Sequence, residues 1–231
     1  MKQKAYPNKS ILLISDTHFP YAHPKLFEFL KNIKNTFKPD RVFHLGDLTD
    51  QYMFSSYSKI PEADNTSVEL TRTRKQIKQL GALFPDMILM SSNHDDRIYK
   101  RSRIGGVPKE LLLPYNKMIG ADNFNWKWVQ DYTIRLPNKR HLYMCHTRAG
   151  TAQTVTQILG MSVAVGHHHN QFGIRYTATP RGDNFSIDCG CLIDDDSYAF
   201  AYNRQSIIRP MLGCSIIIES EPFLLPFKEY I

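Results

Sequence analysis

The sequence predicts an α/β protein built from two packed sheets with helices outside. Three observations predict it. Short apolar runs alternate with longer amphipathic segments through the first half of the chain. From Phe172 onward short β-type runs dominate. No composition break interrupts the 231 residues, a length that suits one domain spanning residues 1–231.

Taken in order, Ile11–Ser15 reads as a buried strand, followed by a helix from about Pro24 to Asn35. Arg41–Leu45 is a second strand, Thr66–Leu83 a charged amphipathic helix, and Met87–Met90 a third strand. Strand, helix and strand at this spacing suggest crossover connections, with ligands gathering beyond the carboxyl ends of the strands. Pro108–Lys117 reads as a helix that Pro108 opens and Gly120 follows. Trp126–Val129, Tyr132–Leu136 and His141–Cys145 are strand patterns, the last two joined by the turn-like Pro137-Asn138-Lys139. Gly150–Leu159 is read as helix and Met161–Val165 as a buried strand. Short strands are then expected at Ile174–Ala178, Phe185–Asp188, Ala199–Tyr202 and Ser215–Ile218.

Composition bounds the function. Hydrophobic residues make up 42% and charged residues 22%, a globular balance without the depletion that marks disorder. The longest apolar runs fall far short of the roughly 20 residues of a membrane span, and no apolar stretch behind Met1 suggests a signal peptide. Cys145, Cys189, Cys191 and Cys214 do not form a disulfide framework, so a reduced, cytoplasmic setting is the simpler reading. The net charge of +7 permits a polyanionic partner without demanding one.

Five short polar signatures each follow a strand-like run: Asp16-Thr17-His18, Gly46-Asp47-Leu48-Thr49-Asp50, Asn93-His94-Asp95, Cys145-His146 and Gly166-His167-His168-His169. Carboxylates, imidazoles and an amide are thereby brought to one loop edge of a sheet. Such a mixed nitrogen–oxygen set suits manganese, iron or zinc better than calcium, and it lacks the thiolates of structural zinc. Two ions sharing a carboxylate clamp a phosphoryl group and lower the pKa of a bridging water. No serine or cysteine nucleophile is then needed.

These signatures, in this order, resemble the calcineurin-like metallophosphoesterase superfamily. Its pattern is Asp-x-His, Gly-Asp-x-x-Asp, Gly-Asn-His-Asp/Glu, a lone His and Gly-His-x-His, matched here from Asp16 to His169. The resemblance implies a four-layer α-β-β-α sandwich, two packed mixed sheets flanked by helices. It implies two divalent metal ions, with manganese favoured over iron or zinc. Asp16, His18 and His169 would hold the first, Asp47 would bridge, and Asn93, His146 and His167 would complete the second. His94 would contact the phosphate and protonate the leaving oxygen, with Asp95 orienting His94 and Asp50 supporting the metal ligands.

Departures from the pattern narrow the substrate. Ser92 and Thr147 stand where glycine is common. Gln51 follows Asp50 where the superfamily's protein phosphatases carry arginine, and Asp95 replaces their glutamate. Both differences lean toward phosphodiesterases and nucleases acting on nucleic acid or nucleotides, through in-line attack by a metal-bound hydroxide. The alternatives are a phosphomonoesterase for nucleotides or phosphoproteins, and a catalytically silent scaffold, which has no need of a nonligating His94.

Other residues have plainer readings beside the functional ones. Arg97 and Arg148 follow two of the signatures and are candidate phosphate ligands, with a surface role equally open to each. With Lys100, Arg101 and Arg103 they would line a positive approach to the metals. His168 is expected to point elsewhere, and His23, His44 and His141 to be structural or surface residues. Cys189-Gly190-Cys191 reads as small buried residues and Asp194-Asp195-Asp196 as a solvated turn. Trp126 and Trp128 share a strand face, where packing between the sheets is the default and stacking on bases the alternative.

Overall fold

Period-2 alternation along the strands sorts the core into layers. In β1 (Ser10–Ile14), Leu12 and Ile14 face one way and Ile11 and Leu13 the other, and all four are fully buried. Leu12 and Ile14 pack under helices α1 (Leu26–Phe37) and α2 (Thr66–Leu83). Ile11 and Leu13 pack instead against Leu142, Met144, Ala164 and Ile187 of the second sheet. The computed structural model describes residues 9–56, 58–147, 150–179, 182–200 and 207–231.

The first sheet runs β11-β10-β1-β2-β3-β4. Its strands are β1, β2 (Arg41–His44), β3 (Asp86–Met90), β4 (Asn125–Val129), β10 (Gly213–Ile218) and β11 (Glu221–Pro226). β1 to β4 are parallel, and β10 is antiparallel to β1. The second sheet runs β5-β6-β7-β9-β8. It comprises β5 (Asp131–Arg135), β6 (His141–Cys145), β7 (Ser162–Val165), β8 (Phe172–Thr179) and β9 (Gly182–Cys189). Its central strands β6, β7 and β9 are parallel, while β5 and β8 close the edges antiparallel. Helix α5 (Ala152–Leu159) covers the outer face through Ala152 and Val155 on Cys145, Val163 and Val165. The result is the four-layer α-β-β-α sandwich.

Local sequence explains the helices. Leu26, Phe29, Leu30 and Ile33 recur at helical spacing in α1, and burying each contributes roughly 1.5–3 kcal/mol. Asn65 caps α2 by accepting from the amides of Ser67 and Val68 at 3.0 and 3.1 Å. Thr151 caps α5, and Gly160, at φ +64°, ends it in the left-handed conformation.

Four expectations need correction. The helix expected over Pro108–Lys117 is broken: Lys109–Leu111 make one tight turn and α4 (Tyr115–Met118) another. Pro114 between them lacks an amide hydrogen and pushes Leu113 toward extended backbone. The strand expected at Ala199–Tyr202 is instead a tight helical turn at 198–200, and positions 201 and 202 lie outside the described residues. Trp126 and Trp128 face the helix side of the first sheet, so they do not pack between the sheets. The reason is register: Trp126 pairs with Met87 and Trp128 with Leu89, both on that outer face. Finally, the basic run around Lys100 forms helix α3 (Arg97–Ile104), of which Arg97 reaches His94 while the cations after it are engaged locally. Lys100 and Arg103 lie 3.9 and 3.5 Å from Asp96, and Arg101 donates to the carbonyls of Phe54 and Ser55.

Among the described residues no helix is long and apolar enough to cross a membrane. All four cysteines are buried and outside any disulfide. Burial pushes the Cys189 thiol up to about 12, against a hydrogen bond with Ser215, which suits a packing role.

Candidate metal centre

Each polar signature sits just past the carboxyl end of a strand. Asp16 and His18 follow β1, Asp47 and Asp50 follow β2, and Asn93 to Asp95 follow β3. His146 follows β6, and His167 to His169 follow β7. The edges are tied together: the amide of Asp16 donates to Gly46 at 3.1 Å, and that of Gly166 donates to His146 at 3.1 Å. Asp16, His18, Asp47 and His167 all adopt positive φ, between 47 and 72°. Left-handed backbone at residues other than glycine is costly and concentrates where side chains must be aimed.

Three clusters result: Asp47 belongs to the first two, and His18, Asp50 and His94 form a third. In the first, His169 Nε2 lies 3.1 Å from His18 Nε2 and 3.2 Å from Asp16 Oδ1. His18 Nε2 lies 3.5 Å from Asp47 Oδ2. In the second, His146 Nε2 lies 3.0 Å from Asn93 Oδ1 and 3.2 Å from Asp47 Oδ2. His167 joins this cluster, its ring 5.1 Å from that of His146.

The donor chemistry fits a divalent cation. His146 spends its Nδ1–H on the carbonyl of Leu45 at 2.9 Å, so Nε2 presents a lone pair. That lone pair faces two oxygen acceptors, and only a proton or a cation reconciles the three. His18 repeats the pattern: Nδ1 is 2.8 Å from Asp50 Oδ1, while Nε2 faces Asp16, Asp47 and His169. A carboxylate on the far nitrogen is the arrangement that fixes a ligating imidazole.

The electrostatics agree. Burial acts to raise the Asp16 carboxyl, but hydrogen bonds with His169 and His18 hold it below the usual carboxylate range. Burial opposes charge on His18, yet Asp16 and Asp50 carry it up to about 10. His146, against similar burial, is raised to about 9 by Asp47. His44 differs. Burial lowers it to about 4, and Thr17 and the amide of Gly46 satisfy its ring as a structural residue.

His94 lies beside the two clusters that share Asp47, in the third group with His18 and Asp50. Its Nδ1 is 3.1 Å from both the carbonyl and Oδ1 of Asp50, and its ring stands 4.4 Å from that of His18. Asp50 therefore orients His94, which corrects the expectation that Asp95 does so. Asp95 is buried and turned the other way. It accepts from the amides of Leu48 and Thr49 at 3.2 and 3.0 Å and from the hydroxyls of Ser92 and Tyr115 at 2.6 and 2.5 Å. Asp95 thus clamps the loop after β2 to the loop after β3, and Ser92, standing where glycine is common, supplies one of its donors. Gln51 completes the clamp, donating to the carbonyl of Asp95 and accepting from the amide of Ile98.

Arg97 is in the site: it donates 2.8 Å to the Asp50 carbonyl and 2.9 Å to His94 Nε2. Arg148 lies outside the described residues. His168 turns toward Asp188 at 3.7 Å, and His141 is exposed. Tyr115 was not legible as part of the site, because it enters through Asp95 and carries no motif of its own, and Thr49 fills a variable position of its signature.

No curated protein matches the chain. Among solved structures it is similar to TT1561 of Thermus thermophilus, at 9% identity over 95% of this chain and 99% of that one, with a TM-score of 0.50. It is also similar to vacuolar protein sorting 29 from Cryptosporidium parvum, at 11% identity over 94% and 95%, with a TM-score of 0.46. At 9% identity the likeness to TT1561 concerns the fold. The family model for calcineurin-like phosphoesterases matches residues 9–171, and the chain belongs to that family.

Proposed function

We propose that this protein is a metal-dependent phosphodiesterase acting on nucleotides or nucleic acid. The family generally hydrolyses phosphoesters and binds divalent metals. The observation that carries the reading is the position of His94, an imidazole outside the two clusters that share Asp47 yet within 3.9 Å of Asp47. Asp16, His18, Asp47 and His169 would hold one ion, and Asp47, Asn93, His146 and His167 the other. Bound there, two cations would neutralise phosphoryl charge and acidify a water. Manganese suits this nitrogen–oxygen set.

The chain's own residues do the rest. Asp50 fixes the rings of His18 and His94. Once Arg97 turns from His94 Nε2 to the phosphate, His94 would carry a proton at Nε2 for the departing ester oxygen, as a general acid. Arg97 supplies guanidinium donors to the phosphate oxygens. Gln51, where protein phosphatases carry arginine, is committed to Asp95 and Ile98, which favours diesters over phosphoproteins. Residues 1–231 act as one domain in this reading, since β9 pairs with β7 and β10 with β1. Four cysteines without a disulfide support a cytoplasmic setting.

The test is to strip the protein with chelator, restore manganese, and compare a generic phosphodiester with a phosphomonoester. Hydrolysis of the diester in preference is expected. Preference for the monoester overturns the assignment.

A further inference from the structure

A cleft of about 1040 Å³ opens beside the second cluster, with Asn93 and His146 in its wall. It is at the upper end of the volumes that bind small molecules, and it continues directly from the site. Its far wall is aromatic. Tyr115 stands edge-on to Trp128 at 5.0 Å, and Tyr99 lies 6.5 Å from Tyr115. Trp128 brings an indole N–H that is buried and has no acceptor among the described residues. An unsatisfied donor of this kind costs free energy until an acceptor reaches it.

The charge of the lining is equally informative. Among the described residues Lys109 is its one lysine or arginine, and it rests over the Tyr99 ring at 5.0 Å. Asp95, Asp96 and Glu110 also line it; Arg101 of α3 is spent on the carbonyls of Phe54 and Ser55, and Lys100 and Arg103 lie 3.9 and 3.5 Å from Asp96. A groove that tracks a polyphosphate backbone needs several cations along its length. Here the amides of Asn116 and Gln130 stand in their place, offering both donors and acceptors.

We infer that this cleft seats a single nucleoside, so that the substrate is a mononucleotide-sized phosphodiester and not a polymer. Aromatic faces stack on a flat base, the amides meet its polar edge, and a lining with Lys109 as its one lysine or arginine among the described residues offers further phosphates little to hold. The inference rests on the phosphodiesterase reading and narrows its substrate class.

Two esters with one leaving group test it: thymidine 5′-(p-nitrophenyl phosphate) and methyl p-nitrophenyl phosphate, with the manganese-loaded protein. The nucleoside ester is expected to have at least about tenfold higher kcat/KM, the scale of one base stacking on an aromatic ring. That ratio should fall in Tyr99→Ala and in Trp128→Leu. A parent ratio near one, or a ratio kept by both variants, overturns the inference, as does faster cleavage of an oligothymidylate than of the nucleoside ester. If neither ester is hydrolysed, the phosphodiesterase reading fails separately, and binding decides the cleft. Saturable quenching of tryptophan fluorescence by adenosine in the metal-free protein supports it, and the absence of quenching overturns it.

Discussion

The guanidinium of Arg97 donates to Nε2 of His94 across 2.9 Å. An arginine cannot accept, so Nε2 holds a lone pair and the ring proton sits on Nδ1, toward Asp50. For His94 to serve as an acid, Arg97 must leave Nε2, and a phosphate oxygen is the acceptor that would draw it away. We expect His94→Ala to lower kcat by roughly 10²–10⁴ while manganese binding is retained. Arg97→Ala should raise KM for the diester, and Arg97→Lys should not restore it, because a point ammonium lacks the planar fork. Steady-state kinetics beside a metal titration checks both.

Asp95 is a structural clamp, and its loss should be felt in stability. Asp95→Ala strands the amides of Leu48 and Thr49 and removes a partner from the hydroxyls of Ser92 and Tyr115, of which Tyr115 keeps Thr49 at 2.6 Å. Leaving several buried donors unpaired costs roughly 2–4 kcal/mol. Urea unfolding of the metal-free protein should show this.

Gly46 sits at φ +104°, and a Cβ there would lie 2.6 Å from His146 Nδ1. Gly46→Ala therefore combines backbone strain with displacement of a candidate ligand. Weakened metal binding should accompany a loss of about 2 kcal/mol or more, read by calorimetry and thermal unfolding.

Metal uptake should release protons. Without metal, His18 is charged well above neutrality, because Asp16 and Asp50 outweigh the burial that opposes its charge and carry it to about 10. A cation must displace that proton, so apparent affinity should increase as pH rises toward that value, by roughly tenfold per unit for each proton lost. Calorimetry in buffers of differing ionisation enthalpy counts the protons.

Glu69 supplies a stability signature of opposite sign to the paired carboxylates. Burial pushes its carboxyl from 4.5 up to about 7, against the amides of Tyr52 and Met53, which favour the charged form. The folded protein thus holds a proton that the unfolded chain has lost, and this contribution fades as pH rises through about 7. Glu69→Gln cannot lose a proton. Its unfolding free energy should gain on the parent by roughly 3 kcal/mol between those two values.

Most strands, the two long helices and the polar signatures were legible locally, whereas β11 (Glu221–Pro226) was not expected. Period-2 and helical spacing report which face is buried, as in Ile11 to Ile14 and in Leu26 to Ile33. Asp16, His18, Asp47, Asn93, His146, His167 and His169 were legible because each closes an apolar strand. What the sequence alone could not decide depends on partners distant in the chain. Asp95 and Asp50 are both carboxylates beside a motif, and only the packing of the loops after β2 and β3 assigns Asp50 to His94 and Asp95 to the backbone of the facing loop. The face of Trp128 depends on its register with Leu89, and the fate of Arg101 on the carbonyls of Phe54 and Ser55. Side-chain type and spacing are encoded residue by residue, whereas hydrogen-bond partners are chosen by whatever the folded layers bring within about 3 Å.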